Sequence, residues 1–166
     1  MSEHLDRAEG IKKVNELIKD IRIAMFTTED DDGSLVSRPM ATQEAEFDGE
    51  LWFFANESSP KVDQIEQDRN VNLAYVSGGH NYYVSVSGTA SVVHDRAKME
   101  ELWKPALKTW FPKGLEDPDI ALLKVKAEHI QYWDDRAGAL EVVAGFVKAT
   151  VTGKPAQTGE TGKIDL

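Results

Sequence analysis

The residues whose types and spacing suggest chemistry lie between Arg38 and Lys61. The guanidinium of Arg38 is a rigid planar fork suited to phosphate. Ser58-Ser59-Pro60-Lys61 reads as a helix start, with Ser59 at the N-cap and Pro60 at the first helical position, where its missing N–H costs nothing. A helix N-terminus carries partial positive charge and free backbone donors, and Lys61 reinforces both. Just upstream, Leu51-Trp52-Phe53-Phe54 is too apolar to be exposed on both faces and reads as a strand deep in a sheet. An anion clamp beside a flat apolar wall fits a phosphorylated aromatic molecule. Phe53 and Phe54 also have a plain reading as core packing, and strand alternation makes at least one of them core.

These groups need elements to hold them. Leu5, Ala8, Ile11, Val14 and Leu17 recur at helical spacing and predict an amphipathic helix ending near Asp20. Residues 21–28 alternate as a strand, with Ile21, Ile23 and Met25 on one side. Glu29-Asp30-Asp31-Asp32-Gly33 is a solvated turn, because a calcium loop would need further ligands and a closing glutamate. Asp48-Gly49 tolerates the positive φ of a tight turn and predicts a hairpin joining residues 34–47 to the Leu51 strand. Pro39 cannot donate to a sheet ladder and marks an edge or a bulge. Either it leaves backbone groups free for a ligand, or it simply guards an edge strand.

A short helix over 60–68, a strand over 70–76 and a long alternating strand over 82–93 follow. Asp95 caps a helix that runs to Trp103 with Met99 and Leu102 inward. Residues 104–118 are broken by prolines and Gly114, yet carry Trp110 and Phe111, which need a partner subunit, a cofactor or the chain's own core to cover them. A last strand is predicted over 121–133, with Val125, Ala127 and His129 on the side of Trp133. Leu140, Val143, Val147 and Val151 suggest an apolar helix, and the polar tail 154–166 is expected to be disordered. Short antiparallel strands at this spacing point to a barrel or sandwich.

Composition narrows the function classes. With 19 basic and 29 acidic residues the net charge is −10, which argues against general affinity for nucleic acid or anionic membrane and makes any phosphate site local. Cysteine is absent, so disulfides, thiolate catalysis and cysteine-held metals are excluded. His4, His80, His94 and His129 are scattered, and no metal site is expected. No apolar run approaches the roughly 20 residues of a membrane span. The first ten residues lack a secretory pattern, so a cytoplasmic protein is expected. No nucleophile elbow, Walker loop or dinucleotide fingerprint is present, and catalytic residues cannot be named.

Taken in order, Ser37-Arg38-Pro39-Met40, Leu51-Trp52-Phe53-Phe54, Ser59-Pro60-Lys61, Trp110-Phe111-Pro112-Lys113-Gly114 and Tyr132-Trp133 resemble the general stress protein branch of the pyridoxamine-phosphate-oxidase-like flavoproteins, over roughly residues 5–153. The resemblance implies a mainly β domain: a six-stranded antiparallel split β-barrel (Greek key) with flanking helices. It also implies a homodimer with FMN, or FAD as the alternative flavin, at the subunit interface. Arg38, Ser58, Ser59 and Lys61 would hold the phosphate. Pro39, Met40, Ala41, Thr42, Gln43, Phe53, Phe54 and Ala55 would border the ring, and the partner's Trp110, Phe111 and Trp133 would close it. Trp133 has a second reading, as the plug of its own barrel mouth. Trp133-Asp134-Asp135-Arg136 puts two acids where true pyridoxamine phosphate oxidases have a basic motif, so that oxidation is not expected. Three functions follow as alternatives: a flavin-binding stress protein, a low-specificity FMN oxidoreductase with a nicotinamide or deazaflavin partner, and a cofactor-free interaction module.

Overall fold

The computed structural model describes residues 3–136, 139–155 and 159–166. In chain order its elements are β1 (Glu3–His4), α1 (Arg7–Ile18), β2 (Ile23–Glu29), β3 (Leu35–Ala41), β4 (Glu50–Asn56), α2 (Pro60–Gln67), β5 (Asn70–Val76), β6 (Tyr82–Val93), α3 (Arg96–Leu102), β7 (Ile120–Asp134), α4 (Ala139–Thr152) and β8 (Glu160–Asp165). Two short 3-10 turns, Pro105–Thr109 and Gly114–Glu116, connect α3 to β7. β2 to β7 form a curled antiparallel half-barrel, as the resemblance implied, with sheet order β1-β8-β7-β6-β5-β2-β3 and β4 paired to β7 off that path. No helix among the described residues is long and apolar enough to cross a membrane.

β7 is the strand on which the sheet closes. One of its edges pairs along its length with β6; the other pairs with β4 over Ile120–Lys126 and with β8 over His129–Asp134. A bulge lets both happen. Ser87 faces His129 while Gly88 faces Ala127, so Glu128 is an extra residue in β7. Gly88 is required there, because a Cβ would run into the Lys126 carbonyl oxygen. The bulge also swaps faces: Leu123, Val125 and Ala127 are buried before it, and Ile130, Tyr132 and Asp134 after it. Trp133 therefore shares a face with His129 but not with Val125, which corrects the expected grouping.

The expected grouping of Ile21 with Ile23 and Met25 also changes, since Ile21 precedes β2 and is buried. Ala24, Phe26 and Thr28 point inward, and Ile23 and Met25 are 46% and 39% exposed. The run 23–26 is apolar at every position, so alternation alone could not choose a face; the edge-on contact of Phe26 with Phe53, centroids 5.4 Å apart, chooses it. The tight hairpin is also elsewhere. β3 pairs with β2 through the 30–34 turn, where the Asp30 N–H donates to the Ser34 carbonyl at 2.8 Å, whereas β3 and β4 do not pair. Gly49 has φ +115°, as a turn needs, but its turn only admits the chain to β4.

Two apolar clusters result. The larger fills the half-barrel and is closed by Val14 and Leu17 of α1. The smaller lies outside it, where Phe54, Leu122 and Ile120 meet Met99, Leu102, Leu107 and Phe111. Phe53 and Phe54 thus both serve as core, on opposite sides of β4.

The tail expected to be disordered supplies a strand instead. β8 pairs antiparallel with β7 and parallel with β1, and Ile164 is fully buried against Gly10 of α1. Nearby, Asp134 is tied to Lys13 at 3.0 Å and to Arg136 at 2.6 Å, so it is no free acid. The Arg136 and Lys13 contacts hold its carboxyl down at about 2. If β8 is an integral strand, Ile164→Ala should lower unfolding free energy by about 2–5 kcal/mol. Urea unfolding checks this: a disordered tail would leave the midpoint unchanged.

Candidate functional site

The unpaired seam between β3 and β4 forms a groove of about 190 Å³. Pro39, Met40 and Ala41 line it from β3, with Gln43 just beyond, and Phe54, Ala55 and Asn56 line it from β4. Lys61 stands at the start of α2, and Leu107, Trp110 and Phe111 form the remaining wall. β3 pairs only with β2, so Pro39 sits on an edge strand, as the missing N–H requires.

Arg38 is held behind this groove by neutral groups. Its guanidinium donates to Thr28 Oγ1 at 2.7 Å, to Gln64 Oε1 at 2.9 Å and to the Phe26 carbonyl at 3.3 Å. The Thr28 hydroxyl donates in turn to Gln64 Oε1 at 2.7 Å, and both side chains are buried. Among the described residues neither Arg38 nor Lys61 has a carboxylate in ion-pair contact. Burial pulls the pKa of Arg38 below its usual value, only partly opposed by Asp30. Burial also lowers Lys61, and the charge of Arg38 adds to that shift. Arg38 and Lys61 are thus two half-buried cations that repel each other, with only the Asp30 charge offsetting Arg38 in part.

The serines behave differently from the expectation. The Ser58 N–H and hydroxyl both go to the Asp119 carboxylate, at 2.9 and 2.6 Å, and those two bonds hold Asp119 below its ordinary range. Ser59 takes the N-cap position, but its hydroxyl donates to the Asn56 carbonyl at 2.6 Å and makes no cap bond. Of the four expected phosphate residues, Ser58 and Ser59 therefore use their hydroxyls within the chain, while Arg38 and Lys61 have no ion pair among the described residues.

Most of the predicted ring-side residues meet in the groove: Pro39, Met40, Ala41, Gln43, Phe54 and Ala55, with Trp110 and Phe111. Gln43 Nε2 is buried without a hydrogen-bond partner, an unmet donor beside the groove. Thr42 and Phe53 are not in it. The Thr42 hydroxyl donates to the Ile21 carbonyl at 2.6 Å, and Phe53 belongs to the barrel core. The two loop aromatics divide between their readings: Phe111 is buried on Phe54 in its own chain's core, while Trp110 is 56% exposed. Trp133 lies far along β7 from the β4 pairing, opposite Tyr83 and Thr161, and is 37% exposed.

Sequence reasoning missed Thr28 and Gln64, which fix Arg38, and Asp119, which engages Ser58. A threonine on the inward face of an apolar strand and a glutamine between Val62 and Ile65 were the available signals, but neither names its partner.

The fold and site together define a split barrel with a groove at its open seam and two half-buried cations beside it. The chain belongs to the pyridoxamine 5'-phosphate oxidase like family, whose model matches residues 9–157. The protein bli-3 of Neurospora crassa is 32% identical over an alignment covering 92% of this chain and 79% of that protein. The solved general stress FMN/FAD binding protein of Xanthomonas citri is 31% identical, with TM-score 0.68 over 79% of this chain and 92% of that one. A Jannaschia structure assigned as general stress protein 26 shares the fold at TM-score 0.76 and 21% identity, covering 96% of this chain and 99% of that one.

Removing one of the two cations should relieve their repulsion. Lys61→Met is expected to raise stability in low salt by a few tenths to about 1 kcal/mol and to abolish stabilisation by added inorganic phosphate. Melting curves with and without phosphate test this. Phosphate that stabilises wild type and variant equally would mean the cations do not form the anion site.

Proposed function

We propose that this chain is a flavin-binding protein of the general stress type, holding FMN in the β3–β4 groove of a homodimer. The observation that carries the reading is the Arg38–Lys61 pair, two partly desolvated cations with no ion pair among the described residues, beside a groove with an unmet amide donor. The residues fit the group. Arg38, Lys61 and the first turn of α2 would take the phosphate. Pro39–Ala41, Gln43 and Phe54–Ala55 would border the ring, with Gln43 Nε2 available to donate to a ring heteroatom. When bound, the flavin supplies the redox chemistry, and the chain's residues bind and orient it.

Groove size supports a shared site. Small-molecule sites usually enclose about 300–1,000 Å³, and this groove offers about 190 Å³. One chain would cover only part of a flavin, and a second subunit would complete the cover. Exposed apolar side chains support the same reading: Val76, Tyr83 and Trp133 form one cross-strand row on the outer sheet face, with Ile23 and Met25 on that face. Oxidation of pyridoxamine phosphate is not proposed, because Arg136, the base next to the acidic pair, is itself bound to Asp134 and Glu16.

Charge-assisted bonds are worth about 1.5–3 kcal/mol. Arg38→Ala or Lys61→Ala should therefore weaken FMN by about ten- to a hundredfold, as read by quenching of flavin fluorescence. Riboflavin, lacking the phosphate, should bind weakly and lose little. Equal affinity of wild type for FMN and riboflavin would remove the clamp.

The dimer is tested separately. Sedimentation at micromolar concentration should give twice the 18.5 kDa chain mass. Trp133→Phe should weaken FMN by about 1 kcal/mol in that dimer if the partner's tryptophan contacts the ring. A change in melting temperature alone, with FMN affinity intact, would return Trp133 to a role in its own barrel.

A further inference from the structure

A second cavity, of about 650 Å³, opens at the barrel mouth between α1, the β3–β4 loop and β4. It shares only Gln43 with the groove, and its volume lies within the usual range for small-molecule sites. Ile18, Leu51, Trp52 and Phe53 supply its apolar walls. Tyr75 also lines it, is only 2% exposed, and has no hydrogen-bond partner for its hydroxyl among the described residues. Burial pushes that phenol well above its usual pKa, so it stays a neutral donor. An unpartnered hydroxyl on so buried a side chain is costly unless something in the cavity accepts from it.

Charge at the rim is selective. Glu16, Glu44 and Glu50 are taken by Arg136 at 3.3 Å, Arg22 at 2.7 Å and Lys124 at 2.8 Å. Lys12 and Lys19 have no ion pair among the described residues, against one remaining acid, Glu46. The rim therefore has room for a single negative charge, above apolar walls and a polar acceptor's place at Tyr75.

We propose that the barrel-mouth cavity is a second ligand site, for an aromatic carboxylate carrying a hydroxyl or carbonyl oxygen at the end remote from its acid group. The ring lies against Phe53 and Leu51, which share one face of β4. The remote oxygen accepts from Tyr75, and the carboxylate sits between Lys12 and Lys19.

The probe is 6-hydroxy-2-naphthoate, compared with 2-naphthoate by calorimetric titration of the purified protein with and without excess FMN. Both acids should bind saturably, one per chain, and FMN should not displace them. The hydroxy acid should bind about five- to tenfold more tightly, the worth of one buried hydrogen bond. Tyr75→Phe should keep naphthoate binding and abolish the preference. Replacing Lys12 and Lys19 by Gln should weaken both acids alike and flatten their salt dependence. Should Tyr75→Phe fail to fold, nuclear Overhauser contacts between the probe and the Tyr75 ring in the wild-type protein decide the same point. Absence of saturable binding, equal affinity for the two acids in the wild type, a preference retained in Tyr75→Phe, one-for-one displacement by FMN, or no contact with Tyr75 would each overturn the proposal.

Discussion

A strand has two hydrogen-bonding edges, and β7 serves three partners with them. β6 takes one edge whole; β4 and β8 divide the other at the Glu128 bulge. β4 gives one edge to β7 and leaves the other unpaired, so the sheet stays open where β3 and β4 approach. The open seam exposes an edge strand that ends in Pro39-Met40-Ala41 and sets it against Phe54 and Ala55. The groove follows from how the pairing is shared, and Gly88 is the point on which the sharing turns, since any side chain there would push β6 off the Lys126 carbonyl.

Electrostatics follow from the same geometry. The chain carries −10 overall, yet beside its groove stand two cations with no ion pair among the described residues, Arg38 being offset only in part by Asp30. Acids elsewhere are occupied: Asp134 by Lys13 and Arg136, Glu44 by Arg22, Asp119 by the Ser58 donors. Arg38 is oriented by Thr28 and Gln64, which are neutral, and Asp30 offsets its charge only in part. A carboxylate at either position would have neutralised the site it supports.

Much of this was legible in the residues. The helix start at Asp95 came from capping chemistry, and its side chain accepts the expected backbone bond from Lys98. Pro39 announced an edge and Pro60 a first helical turn. The errors share a cause. Ile21 was grouped on one side with Ile23 and Met25, although it is buried and they are exposed, because a fully apolar run has no alternation to read. Residues 160–165 were taken as disordered because their side chains are polar and small. Asp48-Gly49 was read as a hairpin because turn residues show where a chain bends but not which strands pair.

The sequence by itself determined the local terms: where helices begin, which strand lacks a donor, that no thiol chemistry exists, and which basic residues stand near an apolar wall. Those properties depend on a residue and its near neighbours along the chain. Only the tertiary structure decided that Trp133 and Val125 face opposite ways, that Ser58 answers Asp119 sixty-one residues away, and that the tail closes the sheet. Each of those depends on strand pairing at long range, where a single extra residue in β7 reverses every side chain beyond it.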